Sequence, residues 1–163
     1  MTTLDTSRTP NFRQIHFDSI DECAGEVRRI LDADADGRLI TSGNWTPGQI
    51  LAHISAWIEY AYEGFPVPPP PRFIRWILRL QLRRILRGSM PRGVRIPKVP
   101  GGTVGADDLS TPDAAARLLR ALDRLASSEE ARFDSPAFGP MSHADRVTLN
   151  LRHAELHLGF LFY

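Results

Sequence analysis

At 163 residues the chain is long enough for one domain with a buried core, and a net charge of +1 selects no class of partner. One cysteine, Cys23, excludes an intrachain disulfide framework and fits a reducing compartment. The N-terminal stretch has no apolar h-region and no uncharged apolar run reaches ~18 residues, so neither a signal peptide nor a spanning helix is expected, and the cytoplasm is the expected location.

In chain order, residues 1–18 read as an irregular lead-in. Ser19-Ile20-Asp21-Glu22 is a capping box, and the helix behind it carries Ile20, Ala24, Val27 and Leu31 at helical spacing. The following Asp32-Ala33-Asp34-Ala35-Asp36-Gly37 resembles the first half of a calcium loop. Gly43 stands where a bidentate glutamate is needed and Arg38 intrudes, so an acidic helix end and turn is the better reading. Thr46-Pro47-Gly48-Gln49 starts a second helix, reaching about Glu63. Its apolar face centres on His53, ringed by Tyr60, Trp57, Ile50, Ile54 and Leu51, with Ser55, Glu59 and Glu63 opposite.

Phe65 to Pro71 is a stiff, extended connector. From Arg72 to Lys98 there are basic residues and no acid. Arg72–Arg87 is an amphipathic helix with Arg72, Arg75, Arg79, Arg83 and Arg87 on one face and Phe73, Trp76, Ile77 and Leu80 among its apolar partners. The favoured reading docks the apolar side on the body and leaves the arginines in water; the rival reading is an anionic-surface binder. Gly88 to Leu109 is a long loop. Thr111-Pro112 caps the next helix, with Leu118, Leu119, Leu122 and Leu125 as its stripe. Ser135 to Met141 is a turn, and Ser142-x-x-Asp145 caps a last helix expected to run from Asp145 to Phe162. The class is all-α: a four-helix bundle in up-down-down-up order, with a basic helix inserted between its second and third members. One domain covers 1–163, with 72–109 as basic insert and long loop.

The last helix places His153 and His157 four residues apart in the middle of its apolar face, with Thr148, Glu155, Gly159, Arg152 and Asp145 on the side assigned to solvent. Imidazoles buried there cost free energy unless each finds a partner. Each could be a separately hydrogen-bonded core residue. Three centred on facing helices read better as a metal site, because bundle cores build such sites from inward side chains. Three neutral imidazoles leave a position open, the catalytic pattern. They suit a divalent transition metal, zinc or nickel foremost, with copper and iron(II) also compatible. His-Ala-Glu-Leu-His lacks the zincin glutamate, because Ala154 and Leu156 occupy the positions where one would stand. Trp57, one turn after His53, and Asn150, one turn before His153, are expected to line the site as substrate-binding candidates, Trp57 also packing in the core. Arg146 is expected to bind an anion near the site or to reach out from the end of the bundle. His16 and His143 read as surface or loop residues, and Cys23 as packed rather than nucleophilic.

Gly43-Asn44-Trp45-Thr46-Pro47-Gly48-Gln49-Ile50-Leu51-Ala52-His53, Ser135-Pro136-Ala137-Phe138-Gly139-Pro140-Met141-Ser142 and His153-x-x-x-His157 together resemble the DinB/YfiT-like superfamily, in a bacterial branch of unknown function. The resemblance runs from the second helix to the C-terminus. It implies an up-down-down-up four-helix bundle and a metal triad of one histidine on the second helix and an H-x-x-x-H pair on the last, here His53, His153 and His157. Relatives in that superfamily include transferases and isomerases that use low-molecular-weight thiols. Leu156 departs from it, standing where relatives often show a second adjacent histidine. The leading expectation is a metal-dependent enzyme, a thiol S-transferase or hydrolase acting on a small-molecule substrate with a low-molecular-weight thiol as cosubstrate. The alternative is a non-catalytic metal- or anionic-surface-binding bundle. Nucleic acid is not expected, because the basic run is local and lacks a reader motif; a homodimer is left open.

Overall fold

The computed structural model describes residues 5–7, 9–97 and 99–163. Lys98, the last cation of the basic run, lies outside the described residues, as do parts of the lead-in. The described residues form five α-helices: α1 (Ile20–Ala35), α2 (Pro47–Glu63), α3 (Arg72–Arg87), α4 (Thr111–Ala126) and α5 (His143–Leu158). The class is all-α, with one small antiparallel pair, β1 (Ile40–Thr41) and β2 (Leu161–Phe162), in which Ile40 faces Phe162 and Thr41 faces Leu161. No helix is long and apolar enough to cross a membrane among the described residues.

Local sequence fixes the helix starts. Thr46 accepts from the Gln49 amide while the Gln49 side chain accepts from the Thr46 amide, a complete capping box. Ser19 accepts from the Glu22 amide, but Glu22 reaches past it to the Asp18 amide. Ser142 accepts from the Asp145 amide and so starts α5 at His143. The cap of α4 is Ser110, one residue before the expected pair; Thr111 and Pro112 are its first helical residues, where a missing amide hydrogen costs nothing.

Four helices pack around one core. α2 lies most extensively against α4 and also against α5; α1 packs on α4 and α5; α3 leans on α5. Val27 and Ile30 of α1, Leu51, Ile54 and Ile58 of α2, Leu118, Leu122 and Leu125 of α4, and Leu158 of α5 are among its largest buried members. The α1 stripe is therefore centred on Ile30; Ile20 and Leu31 are only partly buried. α2 meets the entry to α4 at Gly48, where a Cβ would stand 1.9 Å from the Leu109 carbonyl oxygen, so no larger residue fits that crossing.

Three expectations are corrected. The last helix stops at Leu158 because the lead-in seats against Gly159. The Arg13 amide donates to the Gly159 carbonyl at 2.8 Å, and a Cβ at 159 would lie 2.5 Å from the Phe12 ring. Residues 161–162 then pair as a strand. Second, the side of α5 assigned to solvent is covered: Arg152 and Glu155 are 5% and 6% exposed. Glu155 accepts from Arg152 and from the Phe17 amide, and Arg152 also donates to the Phe17 carbonyl. Two buried charges thus satisfy each other and the irregular lead-in that covers them. Third, α3 is turned over. Its one fully buried side chain is Leu82, whereas Phe73 and Trp76 are each 67% exposed, Leu80 61% and Ile77 49%. Arg79 donates to the Phe138 and Pro140 carbonyls of the turn before α5, and this contact orients the helix.

A candidate metal centre

His53 sits mid-way along α2 and is buried, while His153 and His157 occupy successive turns of α5 and are half-buried. The three rings meet edge to face, with centroids 4.5 Å apart for His53 and His157, 4.6 Å for His153 and His157, and 5.0 Å for His53 and His153. One ring nitrogen from each lies within 4.8 Å of the other two. Tetrahedral ligation at ~2.1 Å sets donor atoms ~3.4 Å apart, so small ring rotations bring all three onto one ion.

The tautomer of His53 is fixed by a backbone contact. Its Nδ1 lies 2.8 Å from the Val104 carbonyl oxygen. A carbonyl only accepts, so Nδ1 carries the proton and Nε2 keeps its lone pair. This is the outer contact that metal-binding histidines characteristically make. Val104 reaches α2 because the next residue is Gly105, at φ +81°, where a Cβ would stand 2.6 Å from the Ala56 Cβ and 3.0 Å from the Tyr60 hydroxyl. Neither the His153 nor the His157 imidazole has a hydrogen-bond partner among the described residues. Burial pushes the His53 pKa down to about 4, against the opposing pull of the Val104 carbonyl. Desolvation also drives His153 and His157 well below the ordinary histidine value, with the neighbouring imidazoles adding to the effect. All three are therefore neutral at pH 7, the form that ligates a cation.

Two tryptophans wall the cluster. Trp57 lies 6.0 Å from His53 and 5.8 Å from His153 between ring centroids, and its buried Nε1 has no acceptor among the described residues. Trp45 stacks on His157 at 5.6 Å and 15°, and lies 4.9 Å from His53. Helical spacing gives Trp45 no role, because it lies outside α2; the one signal is that it directly precedes the Thr46 cap, and a residue there is carried toward the first turn of α2. Val104 carries no signal of its own, because its contribution is a backbone carbonyl.

Asn150 lies half-buried one turn before His153 and donates its side-chain amide to the Arg146 carbonyl, 2.9 Å away. Arg146 is buried two turns from His153 and donates to the Phe133 carbonyl. Burial lowers its pKa, opposed by Tyr62 and Asp134. The structure thus brings Trp57 to His53 and His153, keeps Asn150 alongside, and ties Arg146 to the loop before α5. His143 is exposed at the start of α5, and His16 is a largely exposed lead-in residue against Arg152 and Glu155. Cys23 is buried, and its thiol is pushed up to about 12 by burial, with Glu26 and Glu155 adding to it, so it supplies no thiolate.

Neither the curated proteins nor the solved structures contain a match to this chain. A family match spans residues 10–162, taking in all five helices and all three histidines. The chain belongs to the family described as protein of unknown function (DUF1569).

Proposed function

We propose that this protein is a metal-dependent enzyme whose open site is formed by His53, His153 and His157, and that it transfers a low-molecular-weight thiol to a small electrophile or hydrolyses one. The observation that carries the reading is the convergence of three neutral imidazoles, one of them held in its ligating tautomer by Val104. The resemblance to the DinB/YfiT-like triad supports it at the same three positions.

A divalent zinc or nickel ion held there would supply a Lewis acid that lowers the pKa of a coordinated thiol or water. Among the described residues no carboxylate joins the three histidines in a ligand cluster. The donor set therefore adds no negative charge, and the ion's full double charge favours an anionic fourth ligand. Trp45 and Trp57 exclude water from two sides and present flat apolar walls to a small substrate. The unpaired Nε1–H of Trp57 offers that substrate a hydrogen bond, and Asn150 offers a second polar group on the α5 side.

The test is turnover of small electrophiles, such as epoxides and activated esters, against a panel of low-molecular-weight thiols, with protein stripped of metal and then reloaded with zinc or nickel. Activity that depends on metal and disappears in His157→Ala is the expected result. Turnover that survives both metal removal and His53→Ala would overturn the reading.

A further inference from the structure

We infer that α3 is a membrane-surface helix that docks this protein on an anionic lipid bilayer. The inference is independent of the histidine site. Phe73, Trp76, Ile77 and Leu80 follow one another at i, i+3, i+4 and i+7, which aligns them in one stripe about 100° wide. A stripe at that spacing ordinarily faces a protein core. Here each of the four is between 49% and 67% exposed, and the helix contacts α5 and the 135–140 turn through its other side. Large apolar side chains in so regular a row, left in water, mark an interaction surface.

Charge identifies the occupant. α3 carries six arginines and no acid, and the acid-free stretch extends from Gly64 to Ala106. Arg72 and Arg83 lie exposed along one edge of the stripe, and Arg84 and Arg87 continue its line, exposed, beyond Leu80. Beside it lies a hollow of about 210 Å³ lined by Arg72, Arg75, Trp76, Arg79 and Gly139. That volume and that arginine lining fit a phosphate headgroup, while Trp76 bridges the hollow and the apolar stripe. Aromatic and aliphatic residues in one stripe, with long arginine side chains along one edge and at its end that can reach up to headgroups, is the composition of a helix lying in the lipid interface.

A second copy of the chain is a poor occupant, because joining two such faces would bring eight arginines, four from each copy, together with no acid in either helix. Nucleic acid is also a poor one: single strands are held by aromatic platforms in a basic groove, whereas half of this stripe is the aliphatic pair Ile77 and Leu80.

The experiment is sedimentation of the full chain with phosphatidylcholine vesicles, with and without 30 mol% phosphatidylserine (roughly the anionic content at which basic segments bind). Two variants accompany it, Phe73→Ser/Trp76→Ser and Arg83→Gln/Arg84→Gln, all four positions being solvent-exposed so that folding is retained; circular dichroism checks this. Binding to anionic vesicles at least tenfold above neutral ones, weakened by salt, is expected. Each arginine removed should cost roughly fivefold in affinity, and the apolar variant should lose binding by more than tenfold. Equal binding to both vesicle types, no binding at low salt, or an unaffected apolar variant would overturn the inference. So would a lipid-free dimer that the apolar variant dissolves, since the face would then belong to a second copy.

Discussion

At the scale of single residues, the candidate site depends on one backbone hydrogen bond. Three histidines in an apolar environment are compatible with a metal or with core packing, and the Val104 carbonyl shifts the balance by leaving His53 Nε2 with its lone pair. That contact exists only because position 105 has no side chain. Gly105→Ala both strains a positive φ and drives a methyl into Ala56, so the loop must lift from α2. The expected outcome is a 10–100-fold loss of metal affinity, the usual effect of losing such an outer contact, with helix content unchanged. Competition against a chromophoric chelator measures it; unchanged affinity would show that Val104 does not orient the ring. The three imidazoles themselves were legible from spacing alone, because i, i+4 and a central position on a second face are periodic facts. Trp45 and Val104 were not legible, since what they contribute depends on where a cap and a loop arrive in space.

Among the elements, α5 shows where one-dimensional pattern runs out. Its wheel correctly placed His153 and His157 inward but assigned Arg152 and Glu155 to water. A helical wheel sees polarity, and it cannot see that residues 12–17, an irregular segment with no periodicity, will cover that side and answer both charges. The buried pair makes a quantitative prediction. Glu155→Ala leaves the Phe17 amide without its acceptor and the buried Arg152 guanidinium without its carboxylate, with the Phe17 carbonyl still accepting from it, and breaking such a pair costs about 3–5 kcal/mol. Urea unfolding should show that loss while metal content per folded chain stays unchanged, because Glu155 faces away from the histidines. A loss of metal with little loss of stability would instead place Glu155 in the site. α3 failed in the opposite sense: its amphipathic period was legible, but the choice of which face docks was decided by Arg79 reaching two carbonyls of the 138–140 turn, a contact that no periodicity encodes.

Across the whole molecule, the histidine cluster and the fold are linked through protons. Burial holds His53 at about 4 in the folded chain, against 6.5 when exposed. Between those values the unfolded chain binds the proton and the folded chain does not, so stability falls as pH drops below 6.5 and the loss levels off near pH 4. For His53 alone the total is roughly 3 kcal/mol. His153 and His157 are shifted in the same direction and steepen the fall. Metal-free protein should therefore unfold at distinctly lower urea at pH 5 than at pH 7, and His53→Phe should flatten that dependence. A pH-independent midpoint would mean that the folded and unfolded chains bind these protons alike, so that burial does not hold the imidazoles neutral. The apolar core of α1, α2, α4 and α5 does not need the ion, so metal removal at pH 7 should lower the melting temperature without unfolding the chain.

At the centre of the molecule, His53, His153 and His157 are proposed to hold a metal. Elemental analysis of untagged protein, purified without added metal, beside His53→Ala and His157→Ala, tests it most directly. About one zinc or nickel per chain in the parent protein, lost in both variants while circular dichroism stays helical, is the predicted result. A parent protein that carries no transition metal and takes up neither zinc nor nickel on titration would contradict it, and would make the three imidazoles members of the core.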